Sequence, residues 1–182
     1  GSGGEGPDVS MEAVVISKER GVICGTFVID RLLESHYPSC SVEWRVSEGS
    51  IVEVGDEVLR ISGNGIEMLR SERVLLNVLG RLSGISTNSW RWINEAGSIG
   101  VAPTRKVDWG LLDKWAVHVG GGLTHRLSRE DALMIKDSEV LSARVGDETE
   151  DEALARLVLE IDMDTNSFFT VVEVRSIEQA LS

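Results

Sequence analysis

The sequence predicts a protein of the α/β class, in which short antiparallel strands come first and parallel strand–helix units follow. Residues 41–46 alternate apolar and polar side chains, which is the pattern of a half-buried strand. Residues 147–161 have the apolar spacing of a helix, and the apolar residues 168–174 follow as a strand. A strand that follows a helix in this way is typical of parallel α/β units.

The first half of the chain contains several further short elements. A helix over residues 27–33 would bury Phe27 and Leu33 with the other apolar residues of one side. Gly55-Asp56 is a strong turn signal between two strands. The predicted strands are residues 14–16, 21–25, 52–54 and 58–61.

A leucine stripe predicts the main helix of the first half. Ser71 has the chemistry of a helix N-cap, and Glu72 would lie in the first turn, where the helix dipole favours an acid. Gly84 would separate this helix from a second one over residues 86–95. The apolar stripe consists of Leu75, Leu76, Leu79 and Leu82.

Glycines near residue 97 mark a domain boundary. Residues 1–4, Gly-Ser-Gly-Gly, are typical of a linker, and we expect them to belong to neither domain. The first domain would cover residues 5–97 and the second would cover residues 98–182. Val101-Ala102 would form the first strand of the second domain.

Composition excludes some classes of protein. The chain has 182 residues, with 30 Asp and Glu against 18 Lys and Arg, so its formal charge is −12. That charge argues against a nucleic-acid-binding protein, which needs a basic face. The two cysteines, Cys24 and Cys40, have no metal-ligand spacing, and we expect both to be reduced. No membrane-length apolar run or signal peptide is visible, so we expect a soluble cytoplasmic protein.

Cationic side chains gather in one stretch of this acidic chain, residues 104–137. A predicted helix over residues 111–119 and a turn at the glycines 120–122 separate them. Ligands of α/β barrels bind where the strands end, and the last of these cations follows an apolar run. Guanidinium and ammonium groups there would bind carboxylates and phosphates. The cations are Arg105, Lys106, His125, Arg126 and Lys136.

Ordered motifs resemble those of one enzyme family. They are PDVS (residues 7–10), ERVLLNVLGRLSGIST (72–87), TRK (104–106), VGGGLTHRL (119–127), IKD (135–137) and VEV (172–174). In this order they resemble the nicotinate-nucleotide pyrophosphorylases (carboxylating), which are also called quinolinate phosphoribosyltransferases. The resemblance implies an N-terminal α/β sandwich followed by an incomplete TIM-like α/β barrel. It also implies a reaction with Mg²⁺ in which quinolinate and phosphoribosyl pyrophosphate give nicotinate mononucleotide, pyrophosphate and CO₂.

The resemblance also implies roles for individual residues. Family members are dimers or larger, and Arg73 would reach the site of a partner subunit. Lys136 would contact a carboxylate or a phosphate, and Lys106 would hold the phosphates of the donor. Glu173 would face ribose hydroxyls or Mg²⁺; within its apolar strand we also expect this acid to be buried, and so either paired or functional. The two carboxylates of quinolinate would be bound by Arg105, His125 and Arg126.

The chain departs from the family pattern at three places. Val107-Asp108-Trp109-Gly110 replaces a TTPGLR-like loop, and Ser138-Glu139 replaces Asn-His. The chain also stops soon after Glu173, so we expect a fragment, or a fold completed by another chain, with little or no activity alone. Two alternatives therefore stay open. One is a related phosphoribosyltransferase, of the type found beside molybdate-transport genes, that acts on another acid; the other is an inactive, ligand-binding fragment.

Overall fold

An antiparallel sheet of three strands begins the computed structural model, which describes residues 9–125, 133–164 and 170–181. Its order is β1 (Ser10–Ile16), β5 (Glu57–Asn64), β3 (Ser41–Trp44). Two shorter strands, β2 (Gly21–Val22) and β4 (Ile51–Val52), form a separate antiparallel pair. The predicted alternation of β3 is confirmed, because every second residue of that strand is half-buried.

The first helix, α1 (Thr26–His36), packs its predicted side against the core except at Phe27, with Val28 and Leu32 partly buried there. Ile29 and Leu33 are buried, whereas Phe27 is 45% exposed. The ring of Phe27 instead meets Trp115 edge to face, with 5.8 Å between the ring centroids. The prediction for Phe27 was therefore wrong, because a contact outside the helix decides where the phenyl ring lies.

One helix of 32 residues, α2 (Gly65–Ala96), stands where two shorter helices were predicted. The Asn64 side chain caps it by accepting hydrogen bonds from the N–H groups of Ile66 and Glu67. Ser71 is fully buried inside the helix and donates to the carbonyl of Met68, so its prediction as an N-cap was wrong. An earlier and better cap had been missed.

Gly84 does not end the helix, although glycine within a helix costs about 1 kcal/mol relative to alanine. The helix continues because its apolar side packs into the core of the first part of the chain. Leu75, Leu79 and Leu82 are buried there, whereas Leu76 is 42% exposed. Burial of these leucines is worth about 1.5–3 kcal/mol each, which outweighs the propensity of one glycine.

The helix α3 (Leu111–Val119) has the predicted bounds. Its end at Gly120 packs tightly on α2, because a Cβ atom there would lie 2.3 Å from the carbonyl oxygen of Ser86. Val101-Ala102 is not a strand, so that prediction was wrong. The carbonyl of Val101 instead accepts one hydrogen bond, at 2.8 Å, from the N–H of Leu123.

Contacts divide the chain into two units, one up to His125 and the other from Arg126 onward. The second unit contains two parallel strands, β6 (Leu133–Ile135) and β7 (Thr170–Val172), as the sequence predicted. Its core is formed by Ile135, Val140, Ala153 and Leu154. Its helices are α4 (Asp137–Ala143), α5 (Glu150–Asp164) and α6 (Ile177–Leu181). Within the described ranges, none of the helices is long and apolar enough to cross a membrane.

Candidate functional site

Lys136 and Glu173 follow the ends of the two parallel strands of the second unit. Ile135 pairs with Val172, and the N–H of Glu173 donates to the carbonyl of Ile135 at 2.9 Å. Both side chains are exposed. Glu173 was expected to be buried, and that was wrong because the residue lies just beyond the strand. A cation and an acid thus lie just beyond two adjacent strands, at the carboxyl edge of a parallel sheet, where ligands bind in α/β folds.

Arg175, which sequence reasoning missed, ties this edge together. Its Nε atom lies 2.7 Å from Oδ2 of Asp137, and its Nη1 atom lies 3.1 Å from Oε2 of Glu150. The hydrogen bond to Asp137 is the main cause that raises the pKa of the Arg175 guanidinium. The charge of Asp137 is thereby compensated beside Lys136. The one feature of the sequence that could have indicated Arg175 is its position two residues after Glu173.

Glu139 explains one departure from the family pattern. Its carboxylate accepts a hydrogen bond of 2.8 Å from the backbone N–H of Lys136, at the start of α4. An acid in the first turn of a helix also interacts favourably with the helix dipole. Glu139 therefore has a capping role in α4.

In the first unit, Arg105 and Lys106 lie in a segment without helix or strand, and both side chains are exposed. The N–H of Lys106 donates to Oγ1 of Thr104 at 3.0 Å, which forms a local turn. Lys106 also lines a small cleft of about 210 Å³ with Arg81, Asp108 and Asp113.

An ion pair forms one wall of this cleft. Arg81 holds Asp113 with two hydrogen bonds, of 3.1 Å from Nε and 2.8 Å from Nη2. Asp113 is only 3% exposed, and burial by itself would raise the pKa of its carboxyl group. The hydrogen bonds from Arg81 and from the N–H of Trp109 outweigh that burial, so the pKa is lowered and Asp113 stays ionised.

The remaining predicted cations lie apart along the chain. Arg73 is exposed on α2, eight residues before Arg81 and so about 12 Å from it along the helix axis. His125 is half-buried and adopts a φ of 56°, which is uncommon for a residue with a side chain. Arg126 lies outside the described residues. Arg73, Arg105, Lys106 and His125 thus belong to the first unit, while Lys136 and Glu173 belong to the second.

A half-buried carboxylate that sequence reasoning missed connects two helices of the first unit. Glu48 accepts hydrogen bonds from the N–H of Gly25, from the N–H and hydroxyl of Thr26, and from Nε1 of Trp115. Burial opposes ionisation, but these donors prevail and lower the pKa of Glu48. Its carboxylate therefore caps α1 and links it to α3.

Comparisons with known proteins agree with the motifs. Residues 5–83 match the quinolinate phosphoribosyl transferase N-terminal domain, and residues 85–181 match the C-terminal domain of the same family. The nicotinate-nucleotide pyrophosphorylase (carboxylating) of Arabidopsis thaliana, described as chloroplastic, is 36% identical over 177 residues, 94% of this chain and 49% of that relative. A probable nicotinate-nucleotide pyrophosphorylase (carboxylating) of Archaeoglobus fulgidus is 35% identical over 143 residues, 75% of this chain and 55% of that relative.

Solved structures give the same result. NadC from Streptococcus pyogenes superposes with a TM-score of 0.76 and 29% identity, over 96% of this chain and 62% of that one. The nicotinate-nucleotide pyrophosphorylase from Francisella tularensis gives a TM-score of 0.76 and 25% identity, over 96% of this chain and 61% of that one. The predicted α/β class is thereby confirmed. The chain spans about half the length of the curated relatives it matches.

Proposed function

The chain belongs to the quinolinate phosphoribosyltransferase family, and from this premise we propose that it provides substrate-binding groups for nicotinate mononucleotide synthesis. The reaction joins quinolinate to phosphoribosyl pyrophosphate and releases pyrophosphate and CO₂, as a step of NAD biosynthesis. The observation that carries the proposal is the pairing of β6 with β7, which brings Lys136 and Glu173 to one edge of a parallel sheet. We also propose that the chain has two domains, residues 5–97 and residues 98–182. The second would be the first part of a TIM-like barrel.

Charge complementarity gives each residue its role. Quinolinate is a pyridine with two adjacent carboxylates, which suit Arg105, His125 and Arg126, with Lys136 on a carboxylate or a phosphate. Lys106 holds the phosphates of the donor, and Glu173 faces ribose hydroxyls or Mg²⁺. These groups position two anionic reactants that would otherwise repel each other, and positioning is a large part of catalysis in such transfers.

The chemistry needs no covalent intermediate with the protein. The pyridine nitrogen of quinolinate forms a bond to the anomeric carbon as the bond from that carbon to pyrophosphate breaks. Pyrophosphate leaves with the electron pair, and the ring becomes cationic. The adjacent carboxylate then departs as CO₂, and the electron pair left on the ring carbon is stabilised by the positive nitrogen before it takes up a proton. Cations near the pyrophosphate stabilise the charge that it gains.

We propose that Mg²⁺ binds here together with the phosphates of phosphoribosyl pyrophosphate. In phosphate-handling sites Mg²⁺ is commonly bound by one or two carboxylates together with substrate phosphates. Glu173 is an exposed carboxylate at the strand end, whereas the nearby Asp137 is paired with Arg175. Glu173 would thus hold the ion, and the ion would neutralise part of the pyrophosphate charge.

A second copy of the chain is part of the proposal. Arg73 is exposed on α2 and makes no ion pair among the residues that the structure describes. It is therefore available to a neighbouring subunit, and a homodimer or larger assembly would place it at the partner's site.

We also propose a cytoplasmic location, which agrees with the unpaired state of Cys24 and Cys40; cell fractionation tests it.

Binding and turnover of quinolinate test the proposal. Calorimetry should show that the chain binds quinolinate, and that Arg105→Gln or Lys136→Gln weakens binding about tenfold or more, the usual range for a hydrogen bond to a charged group. Arg91→Gln and Lys18→Gln are matched controls, because both residues are exposed and neither has an assigned role. Absence of binding by the unmodified chain would refute the proposal for this chain.

Turnover separates the alternatives. CO₂ release from carboxyl-labelled quinolinate should require both phosphoribosyl pyrophosphate and Mg²⁺. Binding without release, under the same conditions, would favour the inactive ligand-binding alternative. A panel of other pyridine and aromatic acids would identify a related transferase, since only the true acceptor would give a ribosylated product.

A further inference from the structure

We propose that Arg81 is a positioning residue that fixes Arg105 and Lys106 by anchoring the segment that follows them. The proposal rests on the proposed function, which gives those two cations their substrates. Arg81 belongs to α2, and no role in binding or catalysis has been given to it above. It acts through Asp108, Trp109 and Asp113, which include two residues of the stretch where the chain departs from its family.

Arg81 contacts three successive parts of this region with one planar group. Its guanidinium holds the carboxylate of Asp113, in the first turn of α3, through two hydrogen bonds. Its Nη2 atom also lies 3.3 Å from Oδ2 of Asp108. The ring of Trp109 stacks against the guanidinium, with 4.7 Å between Cζ and the ring centroid. An arginine can make all of these contacts at once because its donors are coplanar and its faces are free to stack.

The backbone is held at the same point. The N–H of Trp109 donates to Oδ2 of Asp113 at 3.0 Å, so the acid bonded to Arg81 also fixes the main chain. Upstream, the carbonyl of Val101 accepts from the N–H of Leu123. Lys106 is two residues from Asp108, and two residues span at most about 7 Å. The anchor at Arg81 therefore limits where Lys106 can lie, in addition to its local turn with Thr104.

A purely structural ion pair between α2 and α3 would behave differently. Asp108 is a surface partner, with a side chain that is 84% exposed, and Trp109 is 39% exposed. Contacts so accessible to water contribute little to the stability of the whole unit. They do restrict the adjacent backbone, so their loss should loosen residues 104–110 while the helices remain intact.

Hydrogen–deuterium exchange of the whole chain provides the test. In Arg81→Lys the charge that pairs with the buried Asp113 stays, but the planar fork and the stacking surface are lost. Exchange should rise about tenfold within residues 104–110 and by less in α2 and α3. Trp109→Ala removes the stacking alone and should raise exchange in the same segment. If Arg81→Lys does not fold, Trp109→Ala still tests whether this contact holds residues 104–110. Arg91→Lys, a change on the exposed side of the same helix, should leave exchange unaltered.

Calorimetry with quinolinate completes the test. Arg81→Lys should weaken binding about tenfold, because misplacement of a binding group by about 1 Å can cost that much or more. Unchanged exchange in residues 104–110 in both variants would overturn the proposal. So would an equal rise across the whole first unit, or an unchanged quinolinate affinity alongside a loosened segment. If the unmodified chain binds no quinolinate, the proposed function fails, and the exchange data still decide whether Arg81 fixes the segment.

Discussion

Replacement of Glu48 should destabilise the first unit far more than replacement of any exposed acid. Its carboxylate accepts hydrogen bonds of 3.0 Å and 2.9 Å from the N–H groups of Gly25 and Thr26, and of 2.9 Å from Nε1 of Trp115. No side chain at the N-cap position of α1 could replace it, because that residue is Gly25. Glu48 thus does the work of a helix cap from a distance.

The magnitude follows from what each variant leaves unpaired. Loss of a helix N-cap costs about 0.5–2 kcal/mol, and a buried donor left without a partner costs about 1–3 kcal/mol. Because Glu48 is only half-buried, water can satisfy part of the exposed donors, and the lower part of these ranges applies. We expect Glu48→Ala to lower the free energy of unfolding by about 2 kcal/mol. Glu48→Gln keeps one acceptor and should lose about half as much.

Urea unfolding followed by tryptophan fluorescence measures this effect. The sequence contains five tryptophans, and all lie before residue 125, so the signal reports the first unit alone. Glu53→Ala is the matched control, since the pair that this acid makes with Arg20, at 3.0 Å, is exposed to solvent. Its cost should be within about 0.5 kcal/mol of zero. If Glu48→Ala and Glu53→Ala proved equally stable, the capping role of Glu48 would be wrong.

The pH dependence of stability gives an independent check on Glu48. Its pKa is lowered in the folded chain from an ordinary value of 4.5, so the folded state binds this proton less readily than the unfolded state does. The stabilisation is fully present above the unfolded pKa and is lost as pH falls through the folded pKa. The difference in stability between the unmodified chain and Glu48→Gln should therefore shrink below about pH 4.5. A constant difference down to pH 3 would contradict this assignment.

Four further predictions follow from individual features of the structure. Gly120→Ala should cost about 3 kcal/mol in the same fluorescence assay, because its Cβ would lie 2.3 Å from the Ser86 carbonyl oxygen. Gly84→Ala, which meets nothing within 4 Å, should instead stabilise α2 by up to about 1 kcal/mol; a destabilised Gly84→Ala would argue against a continuous helix. Burial raises the pKa of the Cys24 thiol to about 12, so a thiol reagent at pH 8 should label Cys24 only after denaturant is added; rapid labelling of the native chain would show that this thiol is accessible. Arg175→Ala should raise hydrogen exchange in residues 170–181, since it removes the contacts to Asp137 and Glu150; unchanged exchange would show that the sheet edge is held by the strands alone.

Local elements and the chemical character of the proposed site could be predicted from the sequence alone. Three features could be predicted from the spacing of apolar residues over a short window. They are the bounds of α3, the alternation of β3 and the parallel arrangement of β6 and β7. The family was readable because several motifs recur in a fixed order. The cations of the proposed site were identified by the same motifs, whereas their mutual geometry was not.

Features that depend on residues far apart in the chain became visible only in the folded protein. Gly84 is a helix breaker by local rules, but burial of Leu79 and Leu82 against the core keeps α2 continuous. Glu48 caps a helix that begins more than twenty residues earlier, so no local pattern could reveal it. Arg81 and Asp113 meet 32 positions apart, where two helices cross. Long-range contacts of this kind have no periodic signature in sequence, because packing sets their energy and only the folded chain brings the partners together.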